Sequence, residues 1–447
     1  MNFTCKKPSD MVILNEKMIP VIDLAQFYEN STAPETCVLV GIDSGEYDAY
    51  ASIDELEELA FTAGASVFAK LIQKRDKPDN ATFLGEGKLW ELKNICDNNN
   101  VDLLIFDGEL TPSQQRNIEK FTDIRTIDRT MLILDIFALN ARTGEGKLQV
   151  ELAQLKYSLP RLGGKGIELS RLGGGIGTRG PGESKLESDR RHIRRRINAL
   201  EEQLKTLSKR RKLLRERRKK NAVTTVAIVG YTNAGKSTLL NALTDAGVLA
   251  ENKLFATLDP TSRALKLPDG RTVLLVDTVG FISRLPHDLV EAFKSTLEEV
   301  VYADLILNIC DASDPAFEEH LSVTKRVVSE LGASDKPMLT VYNKCDKAPN
   351  LRFFGETGND VRISALKQIG FENLLTKICE SLEKTRRKVS LLLPYSDGST
   401  VSVIRKEGAI IKEEYREDGI FIEAVLDGSF LNKVKNYILP EEDEKEI

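Results

Sequence analysis

Short apolar runs alternate with stretches of helical periodicity over the first third of the chain. Cys37–Ile42 reads as a strand, Asp54–Thr62 as a helix with Ser52 placed to cap it, and Ser66–Ile72 as a second strand. Gly87–Asn98 is helical and holds the single tryptophan, Trp90. Val101–Phe106 has the composition of a buried strand, and Pro112–Phe121 that of a helix capped by Thr111 with Pro112 at its first position. This alternation predicts a small α/β unit over residues 1–125, with 1–35 unassigned.

The periodicity then changes. Residues 129–160 read as two helices separated at Thr143–Gly146. Between 163 and 182, nine of twenty residues are glycine, a density that no regular element packs. A long helix follows at Glu183–Asn221. Ile193, Ile197, Leu200, Leu204, Leu207 and Leu214 recur along it with a period of 3.5, the seam of a helix pair. Its expected partner is Gln149–Leu159, folded back so that 126–221 forms an antiparallel hairpin tipped by the glycine loop. A doubly wound α/β pattern occupies 222–386, and 387–447 reads as a small α/β unit with a hairpin at Asp418-Gly419, a final helix and an acidic end. The expected fold class is therefore multidomain α/β.

Chemistry is concentrated in the third unit. Gly230, Tyr231, Thr232, Asn233, Ala234, Gly235, Lys236 and Ser237 spell GxxxxGKS after an apolar strand and before a helix that continues through Thr238. This is a phosphate-binding P-loop in its required context. Lys236 is expected to reach the β- and γ-phosphates, and Ser237 to ligate Mg²⁺. Asp277, Thr278, Val279 and Gly280 end the next apolar strand as DxxG, so that Asp277 serves Mg²⁺ and the Gly280 amide senses the γ-phosphate. Asn343, Lys344 and Asp346 form NKxD, whose Asp346 can accept from both N–H groups on one edge of guanine. Adenine would leave that charge unpaired. Ser364, Ala365 and Leu366 follow as the loop whose amide meets the guanine oxygen. Four motifs in this order indicate GTP rather than ATP.

Leu254–Thr261 lies at the first switch. Phe255, Ala256 and Thr257 are expected at the nucleotide, with Thr257 the favoured Mg²⁺ ligand and Thr261 the second choice. Phe281 follows DxxG where Ras-like proteins place a water-orienting glutamine, so unaided hydrolysis should be slow. Asn233 matches a P-loop form that takes K⁺ in place of an arginine finger. It equally fits a loop asparagine bonding local backbone. Lys236, Thr257, Gly280 and Asn233 are the expected catalytic set.

The chain resembles the HflX family, ribosome-associated GTPases of the Obg–HflX group. The resemblance rests on Gly173–Glu187 (GGGIGTRGPGESKLE), Phe255–Thr261 (FATLDPT), Asp277–Phe281 (DTVGF) and Leu110–Asn117 (LTPSQQRN), and spans 37–385. It implies a protein that binds the large (50S) ribosomal subunit and its rRNA, dissociates stalled or idle 70S ribosomes and is stimulated by that subunit. Gly175–Gly180 also fits GxGxxG, but it sits between helices and not in a βαβ unit, which excludes a dinucleotide fingerprint.

Charge supports the RNA reading. The net charge is −5, yet residues 185–220 carry sixteen Lys/Arg against five Asp/Glu, 16 − 5 = +11, leaving −16 for the remainder. Such a strip suits RNA phosphates. Arg194, Arg195, Arg196, Arg210, Arg211 and Lys212 are the expected contacts along the rod, with Arg171 and Arg179 at its tip. The competing readings are a GTP-gated switch for a protein partner and a ribosome-assembly GTPase. Six scattered cysteines with no CxxC pair, and no apolar run of membrane-spanning length, lead us to expect a cytoplasmic protein, monomeric off the ribosome.

Overall fold

The computed structural model describes residues 34–162, 181–220, 223–244, 254–255, 258, 261–284, 297–348, 359–383, 386–407, 409–427 and 434–439. Residues 1–33, most of the glycine loop with Arg171 and Arg179, Ala256, Thr257 and the acidic end lie outside them.

The first sheet is parallel. Its strands β1 (Thr36–Asp43), β2 (Ser66–Lys74), β3 (Leu103–Phe106) and β4 (Arg125–Asp128) lie in the order β2-β1-β3-β4. Parallel neighbours need crossover helices, and the crossovers are α1 (Ala49–Thr62), α2 (Glu86–Asn99) and α3 (Pro112–Thr122). Thr111 caps α3 through a full capping box with Gln114. Helix α1 starts earlier than the periodicity suggests. Asp48 caps it by accepting from the amides of Tyr50 and Ala51, and Ser52 lies inside the helix with its hydroxyl on Asp107, 2.7 Å away. Strand β4 straddles residue 125, and the helix that follows it, α4 (Arg129–Asn140), buries Leu132, Ile133, Ile136 and Phe137 in a cluster that also holds Leu56 and Leu59 of α1. The first unit thus runs on to about residue 140.

Helix α5 (Gly144–Ser158), capped by Thr143, pairs with the long helix α6 (Pro181–Lys220). The Thr143–Gly146 break therefore lies at the start of α5, with its glycines inside the first turn. The expected seam is buried at Ile197 and Leu200 but fades toward the C-terminus, where Leu214 is 51% exposed. Ion pairs accompany it along its length: Arg196 grips Glu151 through two bonds of 2.6 and 2.7 Å, and Arg211 meets Glu145 at 3.0 Å. Further along, Arg215 and Arg218 reach Glu298 and Glu299 in the next unit.

The central sheet has six strands: β5 (Thr224–Gly230), β6 (Thr261–Lys266), β7 (Thr272–Asp277), β8 (Leu305–Asp311), β9 (Met338–Asn343) and β10 (Asp360–Arg362). Their order is β10-β9-β8-β5-β7-β6, all parallel except β6, which runs antiparallel to β7. Helix α7 (Lys236–Thr244) and α9 (Phe371–Glu383) cover one face, and α8 (Phe317–Glu330) the other, which makes the unit doubly wound. The cluster under α8 is continuous with that under α1 and α4, so the first and third units share one core. A third sheet, β11 (Arg386–Leu393), β12 (Ala409–Arg416) and β13 (Gly419–Asp427), is antiparallel in the order β11-β13-β12 and carries α10 (Gly398–Glu407). The expected final helix falls largely outside the described residues; among those described, Val434 is helical, a 3-10 turn follows at Lys435–Tyr437, and Ile438 bridges to Leu391 of β11.

The uneven seam predicts uneven costs. Leu200→Ala should weaken the hairpin by about 2–4 kcal/mol, and Leu214→Ala by less than about 0.5 kcal/mol. Hydrogen exchange at the α5 amides reads both, and equal effects would contradict a seam that ends before residue 214.

Candidate functional site

Strand β5 delivers the chain to the P-loop at Gly230. The carbonyl of Ile309 lies 2.1 Å from where a Cβ at 230 would stand, and φ there is +147°, so only glycine fits. Gly235, at φ +92°, is equally constrained, with the Asn343 amide 2.2 Å from its would-be Cβ. Lys236 opens α7 and is buried. Its ammonium donates to the carbonyls of Gly230 (3.1 Å) and Tyr231 (2.7 Å), which fixes it over the loop. Burial pushes its pKa down to about 8 despite the opposing pull of Asp277. A lysine so desolvated is poised for an anion that restores its charge.

Ser237, one residue on, donates to Asp277 Oδ2 at 2.7 Å, and Asp277 is fully buried at the end of β7. A hydroxyl and a carboxylate converging under a phosphate loop are the hard oxygen donors Mg²⁺ takes. Thr261 starts β6 directly across the ladder from Asp277, while the favoured Thr257 lies outside the described residues. Thr278 is buried and bonds the Ile228 carbonyl at 2.8 Å, a tie between β5 and β7. Thr238 is half-buried in the first turn of α7.

The base end is held together by Asn343. Its Nδ2 donates to the Ala234 carbonyl (2.8 Å), and its Oδ1 accepts from the Ala365 amide (2.9 Å). NKxD, P-loop and the Ser364–Leu366 loop are thereby one rigid piece. Lys344 pairs with Asp311 at 2.6 Å. Asp346 keeps its carboxyl below the ordinary range, first through Ser364 and also through Lys367 at 3.3 Å. A carboxylate held ionised at this point can accept from two N–H groups of guanine. Leu366 is 77% exposed at the rim.

Two expected nucleotide neighbours turn elsewhere. The Phe255 ring packs edge-on against Phe137 of α4 (4.8 Å), and its carbonyl accepts from Asn140. The Tyr231 ring stacks on His320 of α8 at 3.7 Å, and its hydroxyl is bonded to Glu55 of α1. Val279 and Phe281 are buried, Phe281 at 1% exposure. Asn233 sits at φ +58° beside a cleft of about 940 Å³ between α1 and the P-loop. Five cysteines are free thiols among the described residues, and no described helix is long and apolar enough to cross a membrane.

Comparison with known proteins identifies the chain's relatives. Three family models tile the chain: GTP-binding GTPase N-terminal over 50–138, GTP-binding GTPase Middle Region over 140–218, and 50S ribosome-binding GTPase over 225–344. The GTPase HflX of Caldanaerobacter subterraneus subsp. tengcongensis is 53% identical over 407 residues, 91% of this chain and 94% of that protein. The chain belongs to the HflX family of GTPases. The Escherichia coli GTPase HflX is 42% identical over 397 residues, 88% of this chain and 93% of that one. A crystal structure of a GTP-binding protein from Sulfolobus solfataricus with GDP covers 78% of this chain and 98% of its own, at 28% identity and a TM-score of 0.43. Membership makes this chain an enzyme that binds GTP and hydrolyses it to GDP.

The sequence did not reveal that the nucleotide site is also held from outside the third unit. Arg129 of α4 donates to the Ser283 carbonyl, just past DxxG, and Glu55 of α1 accepts from Tyr231 in the P-loop. Nothing local marks these residues, because their partners are 154 and 176 positions away.

The depressed lysine gives a pH prediction. Between pH 8 and its ordinary 10.5, Lys236 without nucleotide is mostly neutral, whereas phosphates restore its proton. GTP binding at pH 8.5 should take up most of one proton, and affinity should fall as pH rises through that window. Calorimetry in buffers of different ionisation enthalpy measures the uptake; none at pH 8.5 would contradict a lysine that is depressed in the free protein and recharged by the phosphates.

Proposed function

We propose that this GTPase binds the large ribosomal subunit through the outward face of α6 and dissociates stalled or idle 70S ribosomes. The observation that carries the reading is the disposition of the basic strip. Arg194, Arg195, Arg210 and Lys212 are exposed on the rod, whereas Arg196 and Arg211 are paired with glutamates of α5. The paired arginines tie α6 to α5, and the other four are the ones offered to phosphate. A helix of forty residues reaches about 60 Å, enough to hold its loop end far from the GTP site. The family model matched on 225–344 is described as a 50S ribosome-binding GTPase, which favours the same partner.

At the nucleotide, Lys236 and the P-loop amides hold the phosphates and Asp346 selects guanine. Ser237 and Asp277 would hold Mg²⁺, with Thr261 or Thr257 as the switch ligand. The bound ion would neutralise charge on the β- and γ-phosphates. The Gly280 amide meets the γ-phosphate. Phe281 is an apolar ring buried at 1% exposure and cannot orient water. Unaided turnover is therefore slow, and the missing group comes from the subunit or from K⁺ at Asn233. The working form is cytoplasmic and monomeric off the ribosome.

Co-sedimentation with large subunits, with and without a non-hydrolysable GTP analogue, tests the partner. Arg194→Gln, Arg195→Gln, Arg210→Gln and Lys212→Gln together should weaken binding. They should also flatten its log–log salt slope by about 0.7–0.9 for each phosphate no longer neutralised, leaving GTP affinity unchanged. No pelleting in either nucleotide state would return the function to a switch for a protein partner.

The cation is tested separately. Subunit-stimulated turnover should be lower in Na⁺ than in K⁺ buffer, and Asn233→Ala should remove the difference. Equal rates in both buffers would leave Asn233 a backbone-bonding loop residue.

A further inference from the structure

The C-terminal part of α6 is densely charged and uncovered. Residues 209–218 hold seven Lys/Arg and one acid, Glu216. Arg211, Arg215 and Arg218 are paired with glutamates of α5 and of 298–299. Lys209, Arg210, Lys212 and Arg217 are exposed, and among the described residues none of them has a carboxylate partner. Leu213 and Leu214 are exposed beside them, at 60% and 51%. Four like charges within about three helical turns repel one another, so this face favours an anion.

The fold brings the third sheet to the same place. Arg271, at the entrance to β7, donates to the Cys379 carbonyl of α9 (3.4 Å), and β7 starts in register with β5, Thr224 opposite Val273. Helix α9 therefore ends near where α6 passes the chain to β5, and the third sheet begins there. Strand β12 lies against α6. Its own carboxylates are already engaged. Glu413 pairs with Arg405, and Glu414 with Lys412 (2.6 Å) and Arg416 (3.1 Å).

The counter-charge lies further along the sequence. Residues 441–446 carry five carboxylates and one lysine. Leu439, just before them, is pinned to the outer edge of β11. Its amide donates to the Ser390 carbonyl (2.8 Å), and Ile438 bridges to Leu391. Ser390 lies opposite Glu423 of β13, and Glu423 opposite Lys412 of β12. Three strand spacings, about 14 Å, thus separate Leu439 from β12. The eight residues that follow Leu439 span at most about 28 Å. The acidic stretch can therefore reach α6 beside β12. Being tethered, it is present there at an effective concentration on the order of millimolar.

We propose that residues 441–446 dock on the uncovered face of α6, with their carboxylates on Lys209, Arg210, Lys212 and Arg217, and screen it until a polyanion of higher charge density displaces them. The docking stands on charge and reach. The screening rests on the reading of α6 as an RNA surface. The contact is solvent-exposed, so salt weakens it.

Zero-length carbodiimide coupling of the full chain joins lysines to carboxylates in contact, and mass spectrometry maps the links. Links from Lys209 or Lys212 to Glu441–Glu446 are expected at about 50 mM salt and should fade at about 0.5 M. Lys412–Glu414 and Lys377–Glu380, pairs of 2.6 and 2.9 Å, serve as internal controls. A full chain carrying Glu441→Gln, Glu442→Gln, Asp443→Asn, Glu444→Gln and Glu446→Gln should bind large subunits at least about threefold more tightly than the parent at about 50 mM salt, with GTP affinity unchanged. Control links without any link from Lys209 or Lys212 to 441–446 overturn the docking. Equal subunit affinity of the two chains overturns the screening. If neither chain pellets with subunits, the RNA reading of α6 falls, and the links still decide the docking.

Discussion

The Arg129 guanidinium lies between Asp107 and Glu55 with almost no contact with water. Burial alone works against its charge, but the two carboxylates outweigh that cost and it stays protonated. Such a group tolerates no loss of its partners, since breaking a buried pair costs about 3–5 kcal/mol. The two carboxylates come from the first sheet and from α1, and the third partner is a backbone carbonyl of the GTPase unit. The seating of the first unit on the third is thereby specified by directional bonds and not by apolar contact alone. The continuous apolar cluster beneath it could accept small slips; the ion network could not.

That arrangement explains which parts were legible. The P-loop, DxxG and NKxD were readable because each gathers its contacts within a few consecutive residues, at the ends of apolar strands. Asn343 shows the reason: one amide side chain ties the P-loop to the loop at 365, so the residues around it must keep their identity and spacing. The strands of the first sheet, the capping of α3 and the helix pair followed from periodicity. What escaped was pairing across the chain. Ser52 looked like a cap because serine before a periodic run usually is one, yet Asp48 takes that role and the Ser52 hydroxyl serves Asp107. Tyr231 and Phe255 were grouped with the nucleotide by position in a motif, whereas their side chains belong to the interface with α1, α4 and α8.

The long helix was half legible for a similar reason. A period-3.5 seam identifies a partner helix but does not say where the packing stops. Here arginines accompany the apolar seam, and Arg196, Arg211, Arg215 and Arg218 all meet glutamates of α5 or of the stretch at 298–299. The excess of +11 counted along residues 185–220 therefore divides into two populations. One set locks the rod to the molecule and is partly neutralised. The other remains on the surface, and its charge per unit length governs salt-sensitive attraction to a polyanion.

Phe281 is where these constraints meet. Its ring is buried in the same cluster that unites the first and third units, and its backbone carries the zipper onto the P-loop. A glutamine there would not recreate a water-orienting side chain. Its amide would enter an apolar cluster, at a cost of about 1–3 kcal/mol if left unbonded, or be expelled with the segment it anchors. The residue that stands where a water-orienting side chain would be is thus also the one that seats the segment after DxxG. A catalytic group supplied from outside would avoid that conflict, because it need not share space with the apolar core.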